Sequence, residues 1–255
     1  MADLTGGGAP LLGEPLPIEL GNTVYAVRGR PMDGLETSEH LAAWLRDVRP
    51  RLALPPSDAD LLQVTGDELA IARELREAIR LLSAATVAGR DADPDAVETI
   101  NRHARLAPRW HELRPGPHPG PGPEAGSGPE LRPAPEVGFG PELRPAPEVG
   151  FGPELRPAPE VGSGPEPYAE PRAEVRADGP PVAAVLSWIA EEAVLLFAGP
   201  SRHRLAACQG PGCVLYLIRE TPRREWCSPG CGNRARAARH YAKVRKTSSD
   251  QPAGS

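Results

Sequence analysis

CQGPGCVLYLIRETPRREWCSPGCGNR, residues 208–234, decides how the C-terminal part of this chain folds. It holds all four cysteines of the 255-residue sequence, spaced Cys208-x4-Cys213-x13-Cys227-x3-Cys231. Two close pairs joined by a short span let four thiolates converge on one tetrahedral ion at about 2.3 Å, which is what a structural zinc site requires. Disulfides are the competing reading. Met1 to Gly13, however, holds neither a charged leader nor an apolar run, so a cytoplasmic protein is expected, where clustered cysteine pairs bind metal more often than they oxidise. Four thiolates close the coordination shell and leave no position for a reacting water. One structural Zn2+ is therefore expected, with no catalysis at it, although the spacing alone would also admit iron.

Outward from the last cysteine, Arg234 to Lys246 reads RARAARHYAKVRK, with six Lys or Arg and no acid. On a helix, Ala237, Tyr241 and Val244 form a narrow apolar stripe, while Arg236, Arg239, Lys243 and Lys246 lie on the other side. One face is expected to pack and the other to stay cationic. Between Pro200 and Thr247 there are eleven Lys or Arg against two Glu, a balance of +9 in a chain whose total is −5, so the remainder carries −14. A small basic end on an acidic chain is an electrostatic footprint of nucleic-acid binding. Arg236, Arg239, Lys243 and Lys246 are the candidate phosphate contacts, with DNA the expected partner and RNA a possible one. The competing readings are a solvated helix, a basic face that docks on the acidic remainder of the same chain, and a basic helix that docks on an acidic protein partner, with a homo-oligomer also among the possible partners.

The cysteine spacing, the run Arg223-Arg224-Glu225-Trp226-Cys227-Ser228 and the tetrapeptide Cys231-Gly232-Asn233-Arg234 resemble the CGNR zinc finger family, found at the C-terminus of bacterial proteins. The resemblance implies that Cys208, Cys213, Cys227 and Cys231 are zinc ligands in a treble-clef-like or ribbon-type finger ending in the basic helix. It also places Trp226 as a cap on the small core and Asn233 and Arg234 close to the site, with Asn233 bonding the knuckle backbone or the thiolates. Many relatives carry an Asp and a Ser between the cysteine pairs, where this chain has Arg219-Glu220-Thr221-Pro222, so no role of that span carries over. A module this small leans on its metal, whose binding contributes roughly 10–16 kcal/mol. Chelation is expected to unfold the finger and leave the larger domain intact.

Upstream, Leu16 to Val27 surrounds Gly21-Asn22-Thr23, with Asn22 expected to satisfy turn backbone. A helix begins at a Ser/Thr start with Leu41, Trp44, Leu45 and Val48 at core spacing. Thr65-Gly66-Asp67-Glu68 has capping-box spacing and opens a longer helix to about Ala88, with Leu69, Ala72, Leu75, Ala78, Ile79 and Leu82 on one side. Asp93-Pro94 opens a third, with Val97, Ile100 and Ala104 expected to be buried. Val182 to Phe197 is apolar and periodic, but Glu191 and Glu192 and its length argue for a core helix and against a membrane span. The order of a Gly-Asn-Thr segment, the Trp44-Leu45 helix, a Leu-Arg-Glu-Ala helix at 75–78 and an Ile100-Asn101 helix resembles the ABATE domain. That domain usually precedes a CGNR finger, and the resemblance implies a stress-related transcription regulator. Neither a nucleophile elbow, nor a phosphate loop, nor a second His/Cys/Asp cluster is present, so an enzyme is not expected.

Three copies of GPELRPAPEVG(F/S) fill Gly128 to Ser163, and Arg114 to Pro181 contains nineteen of the thirty-three prolines. Proline at this density denies the segment helix and ladder hydrogen bonds, and each unit has too little apolar surface to offset ordering costs of about 1–2 kcal/mol per residue. The fold class is therefore mainly α with minor β, an α+β chain. A disordered start (1–10) precedes an N-terminal domain in two parts (11–114 and 173–199) around a low-complexity insert (115–172). The finger (202–246) and a tail (247–255) follow. Trp110–Arg114 and Ala173–Ala177 are expected to pair as a hairpin whose turn the insert has lengthened. Halving a long loop changes its closure cost by only about 0.6 kcal/mol. Deleting Gly128 to Ser163 should thus leave the calorimetric melting temperature within roughly 2 °C of the full chain, and a drop of about 10 °C would make the repeats structural.

Overall fold

The computed structural model describes residues 3–4, 8–115 and 171–249. The 12-residue repeats fall outside the described residues. Residues Met1–His111 and Val175–Ser255 form one compact unit and Glu112–Glu174 a second. In the second, the described residues are the far parts of two strands, where Arg114 pairs with Glu112 at 3.1 Å and with Glu174 at 3.8 Å.

The first unit starts with two short paired strands, β1 (Asp3–Leu4) and β2 (Pro10–Leu11), and a one-and-a-half-turn helix, α1 (Leu16–Gly21), buried along its whole length. A hairpin follows, β3 (Val24–Val27) with β4 (Arg30–Asp33), closed by the two-residue turn Arg28-Gly29 in which both φ angles are positive, as the tight hairpin turn demands. α2 (Ser38–Val48) is capped by Thr37, whose hydroxyl accepts from the His40 N–H. Its Leu41, Trp44, Leu45 and Val48 are all buried. The short α3 (Asp58–Leu61) leads to α4 (Gly66–Ala88), and both open with reciprocal capping boxes, Ser57/Asp60 and Thr65/Glu68. α5 (Pro94–Ala104) is capped by Asp93.

Strands β5 (Arg109–Arg114) and β6 (Arg172–Ala177) form a two-stranded sheet, as their flanking of the insert suggests. α6 (Pro181–Ala198) then runs through the centre of the unit, packed on α1, α4 and α5. By length and composition alone α6 would pass as a membrane span, with a mean hydropathy of 1.7 over 18 residues, which the two glutamates do not prevent. Here it serves as the core helix: Val185, Leu186, Ile189, Ala190 and Ala193 are inaccessible to solvent. Ser187 Oγ ties it to the end of α5 by donating to the Ala104 carbonyl at 3.0 Å.

The phase of α5 differs from the expected one. Val97 is 37% exposed and Ala104 half-buried, while Ala96, Ile100 and His103 face the core. His103 tolerates burial because its Nε2 meets Glu74 Oε2 at 2.9 Å, although desolvation still holds its pKa below the ordinary histidine value. A second polar anchor is Arg76 on α4, buried to 4% and paired with Asp33 at the end of β4, its Nη2 donating at 3.0 Å. Burial opposes ionisation of Asp33, but the bonds from Arg76 and from the Leu35 N–H outweigh it and depress its pKa. A depressed carboxyl stabilises the fold above its unfolded pKa of about 3.9 and stops doing so as the pH falls through the folded value. Asp33→Ala leaves the buried Arg76 paired through its Nε with the exposed Glu77 at 3.1 Å, and should cost on the order of 2–3 kcal/mol at pH 7, with a smaller penalty at pH 3. Chemical denaturation at the two pH values checks this, and an equal loss at both would discard the ion pair as the cause.

Candidate functional site

The cysteine-bearing segment is a hairpin whose turn is a knuckle. β7 (Leu205–Ala207) pairs antiparallel with β8 (Tyr216–Ile218), and the knuckle between them carries Cys208 and Cys213. The Cys208 N–H continues the ladder to the Leu215 carbonyl at 2.9 Å, and the Cys213 N–H closes the turn on the Gly210 carbonyl at 2.9 Å. After a loop, Cys227 and Cys231 arrive at the start of α7 (Pro229–Ser249), with Cys231 inside its first turn. Ser228 caps that turn, its hydroxyl accepting from the Cys231 N–H at 3.4 Å, and Pro229 supplies a helical φ at no cost in donors. Delivery of the last pair by a helix N-terminus is the treble-clef-like arrangement of the two expected.

The four Sγ atoms lie within 4.8 Å of one another, with Cys213 to Cys227 at 3.8 Å and Cys227 to Cys231 at 3.4 Å. A tetrahedral ion with bonds of about 2.3 Å sets its sulfurs about 3.8 Å apart, so the cluster fits one structural zinc. Hydrogen bonds from the Cys213 and Cys227 thiols, joined by the Cys227 and Gly210 N–H groups at 3.3 and 3.4 Å, hold Cys208 far below the ordinary thiol range. The bonding that favours the Cys208 thiolate pushes Cys213 and Cys227 up. The backbone thus stabilises sulfur in its charged form, and a dication replacing the thiol protons would hold all four as thiolates.

The residues around the ligands are arranged differently from expectation. Arg234, not Asn233, reaches the sulfur: its Nη2 donates to Cys231 Sγ at 3.0 Å. Asn233 is exposed and turns outward, its Oδ1 accepting from Arg236. Trp226 is half-buried against the core, and Arg236 sits over its ring at 5.9 Å. The glycine of the tetrapeptide is accounted for by this packing. A Cβ on Gly232 would lie 3.2 Å from Trp226 Cε3, and one on Gly210 would lie 2.8 Å from the Cys231 Cβ, where backbone and ligand meet.

From Arg236 to Lys243 every side chain of α7 is exposed, including Ala237 and Tyr241, the latter at 67%. Of the expected apolar stripe, Ala237 and Tyr241 therefore do not pack. Leu205, Leu215, Leu217 and Ile218 of the hairpin are already buried, and the helix runs on past that core. The side chains of Val244 and Lys246 lie outside the described residues.

What sequence reasoning missed is how the finger is held. The outward edge of β8 is paired by side chains from the N-terminal segment. Asn22 Nδ2 donates to the Tyr216 carbonyl and Asn22 Oδ1 accepts from the Tyr216 N–H, both at 2.9 Å. Two residues on, Glu14 Oε2 accepts from the Ile218 N–H at 2.8 Å, and Glu14 Oε1 accepts from Arg224, whose Nη1 also donates to the Ile218 carbonyl at 3.0 Å. Asn22 thus serves a distant strand and not its own turn. Glu14 is 2% exposed, and burial raises its pKa despite the Ile218 N–H and Arg224. Glu19, fully buried beside it, is also raised by burial, while it accepts from the N–H groups of Leu12 and Glu14 at 3.0 and 2.7 Å. The signal in the sequence was two acids inside the otherwise apolar stretch Leu11 to Leu20.

Comparison with known families matches residues 14–200 to ABATE, described as "Putative stress-induced transcription regulator", and residues 204–244 to the CGNR zinc finger. No curated protein matches the chain.

Shared packing and these cross-links revise the expectation for metal removal. Leu215, Leu217 and the buried cysteines belong to the same core cluster as Trp44, Leu75 and Ile189. Chelation should lower the melting temperature of the whole unit in one transition. Asn22→Ala, which strands two backbone groups at a cost of about 1–3 kcal/mol, should split that transition in two. Calorimetry with and without chelator checks both, and a separate low-temperature finger transition in the unaltered chain would refute the coupling.

Proposed function

This chain belongs to the ABATE family and carries a CGNR zinc finger behind that domain, and from this membership we propose that it is a DNA-binding transcription regulator acting in the cytoplasm. The finger makes the contact, and the N-terminal domain senses a signal or assembles the complex. The observation that carries this reading is α7. Its basic residues Arg236, Arg239 and Lys243 stay exposed beyond the zinc core.

The residues have distinct parts in this reading. Arg236 is positioned in advance by the Trp226 ring and by Asn233, so less side-chain freedom is lost when it meets a phosphate. Arg239 and Lys243 follow along the helix, and Lys246 extends the row by sequence. Asn233, exposed at the helix start, is the candidate for reading a base edge. The zinc holds the helix N-terminus in place and takes no part in chemistry. RNA remains within this reading. The competing one, a finger that docks on an acidic protein, shares the same cations and differs in what they bind.

If DNA is bound, log affinity should fall by about 0.9 per log unit of salt for each phosphate neutralised, and Arg239→Ala with Lys243→Ala should reduce that slope by about two. Fluorescence anisotropy of genomic fragments at two salt concentrations measures both. Absence of binding to DNA and RNA at low salt, by zinc-loaded protein, would turn the basic helix over to a protein partner.

A further inference from the structure

The two longest helices of the N-terminal core end beside the same hollow. α4 closes with the N–H groups of Gly89 and Arg90 bonded to the Thr86 and Ala85 carbonyls at 3.2 and 2.9 Å, which fixes the backbone that carries Arg90. α6 closes at Gly199, and the 3-10 turn Pro200–Arg204 after it brings Arg202 and His203 to the hollow. The space is about 490 Å3, within the range of roughly 300–1,000 Å3 usual for small-molecule sites. Its apolar lining comes from Leu82, Val87, Phe197 and Leu205.

Among the described residues no carboxylate lines this hollow, although the chain outside the finger is strongly acidic. Among the described residues Arg90 and His203 have no ion-pair partner, and Arg202 donates to the Ala198 carbonyl at 3.2 Å. Cations near helix C-termini compensate the macrodipole, but that role needs neither a hollow nor an accessible apolar wall. Val87 is 41% exposed there and Phe197 is only half-buried. Two guanidinium groups and an imidazole around an apolar recess match one kind of ligand.

We propose that this hollow binds an amphipathic organic anion, its apolar body against Leu82, Val87, Phe197 and Leu205 and its carboxylate among Arg90, Arg202 and His203. Leu205 opens β7, three residues ahead of Cys208, so the ligand touches the segment that leads into the zinc centre. As the effector site of a regulator the hollow rests on the function proposed above. As a binding site it does not, and its test contains no nucleic acid.

The test is isothermal titration of the zinc-loaded full chain with sodium 1-naphthoate and, separately, with 1-naphthamide, its uncharged counterpart. The expected result is saturable one-to-one binding of the naphthoate with a Kd below roughly 1 mM, and binding of the amide about tenfold weaker or less. Arg90→Gln combined with Arg202→Gln should weaken the naphthoate by about tenfold or more. Val87→Glu, which places a like charge in the recess, should do the same by a different route, with circular dichroism and zinc content unchanged in both. No saturable binding of naphthoate to the unaltered chain would overturn the proposal, as would binding indifferent to the ligand's charge and to both variants. If the chain binds naphthoate but no DNA, the site stands and the regulator reading falls.

Discussion

A three-residue strand with an open edge is not a stable object, and the arrangement of this protein follows from how that edge is closed. β8 has β7 on one side only, so the backbone groups of Tyr216 and Ile218 on the other side need partners or water. The primary amide of Asn22 reproduces the donor and acceptor of a neighbouring strand residue, and the carboxylate of Glu14 does half of the same for the next outward position. Because both side chains come from the segment around α1, the finger acquires a fixed seat on the N-terminal core. The helix that leaves the zinc site inherits its direction from that seat. Arg224 completes the arrangement by bonding Glu14 and the Ile218 carbonyl together, so that the buried acid is not left without a counter-charge.

Local chemistry was the legible part. Thr65 and Asp93 each announced a helix start, as did the Ser/Thr pair ahead of Leu41, and Thr37, Thr65 and Asp93 cap those helices, because a cap is written in a few adjacent residues. The zinc ligands were legible for the same reason: four thiolates must meet, and their spacing limits how. Less legible was whatever depends on residues far apart in the chain. Asn22 and Tyr216 are 194 positions apart, and no local pattern distinguishes an asparagine that bonds its own turn from one that bonds a strand there. The turn Arg28-Gly29 lacks the Asn-Gly or Asp-Gly signature, so the β3–β4 hairpin left no mark to read. In α5, counting apolar residues selected Val97, whereas the buried face runs through His103, a polar residue that only Glu74 makes affordable inside. The stripe on α7 misled in the opposite way: periodicity shows that a face exists and is silent on whether anything lies against it.

Charge is distributed in this molecule with some economy. The acidic remainder of the chain carries two buried acids in structural roles, Glu14 and Glu19 under the finger, and a half-buried one, Glu192, on the core helix, each held above the ordinary carboxylate range by burial. Among the exposed basic residues, one group lies along the helix that leaves the metal site and another lines the recess where helices α4 and α6 end. The two groups lie on opposite sides of the zinc knuckle in sequence, and β7 joins the recess to the knuckle without an intervening loop.

The contact from Arg234 to Cys231 bears on the finger's net charge in a way that a count of Lys and Arg does not show. A divalent ion held by four thiolates is a dianion, so the loaded finger is two units less positive than the same residues with neutral thiols. That negative centre sits at the root of the helix that would face a polyanion, and a guanidinium bonded to one sulfur, with the helix dipole beside it, offsets part of the repulsion. Loss of the ion therefore has two effects of opposite sign. The chain becomes more cationic and more attractive to any phosphate polymer, while the scaffold that aims its side chains is removed. Metal occupancy in such a finger trades indiscriminate stickiness for directed contact.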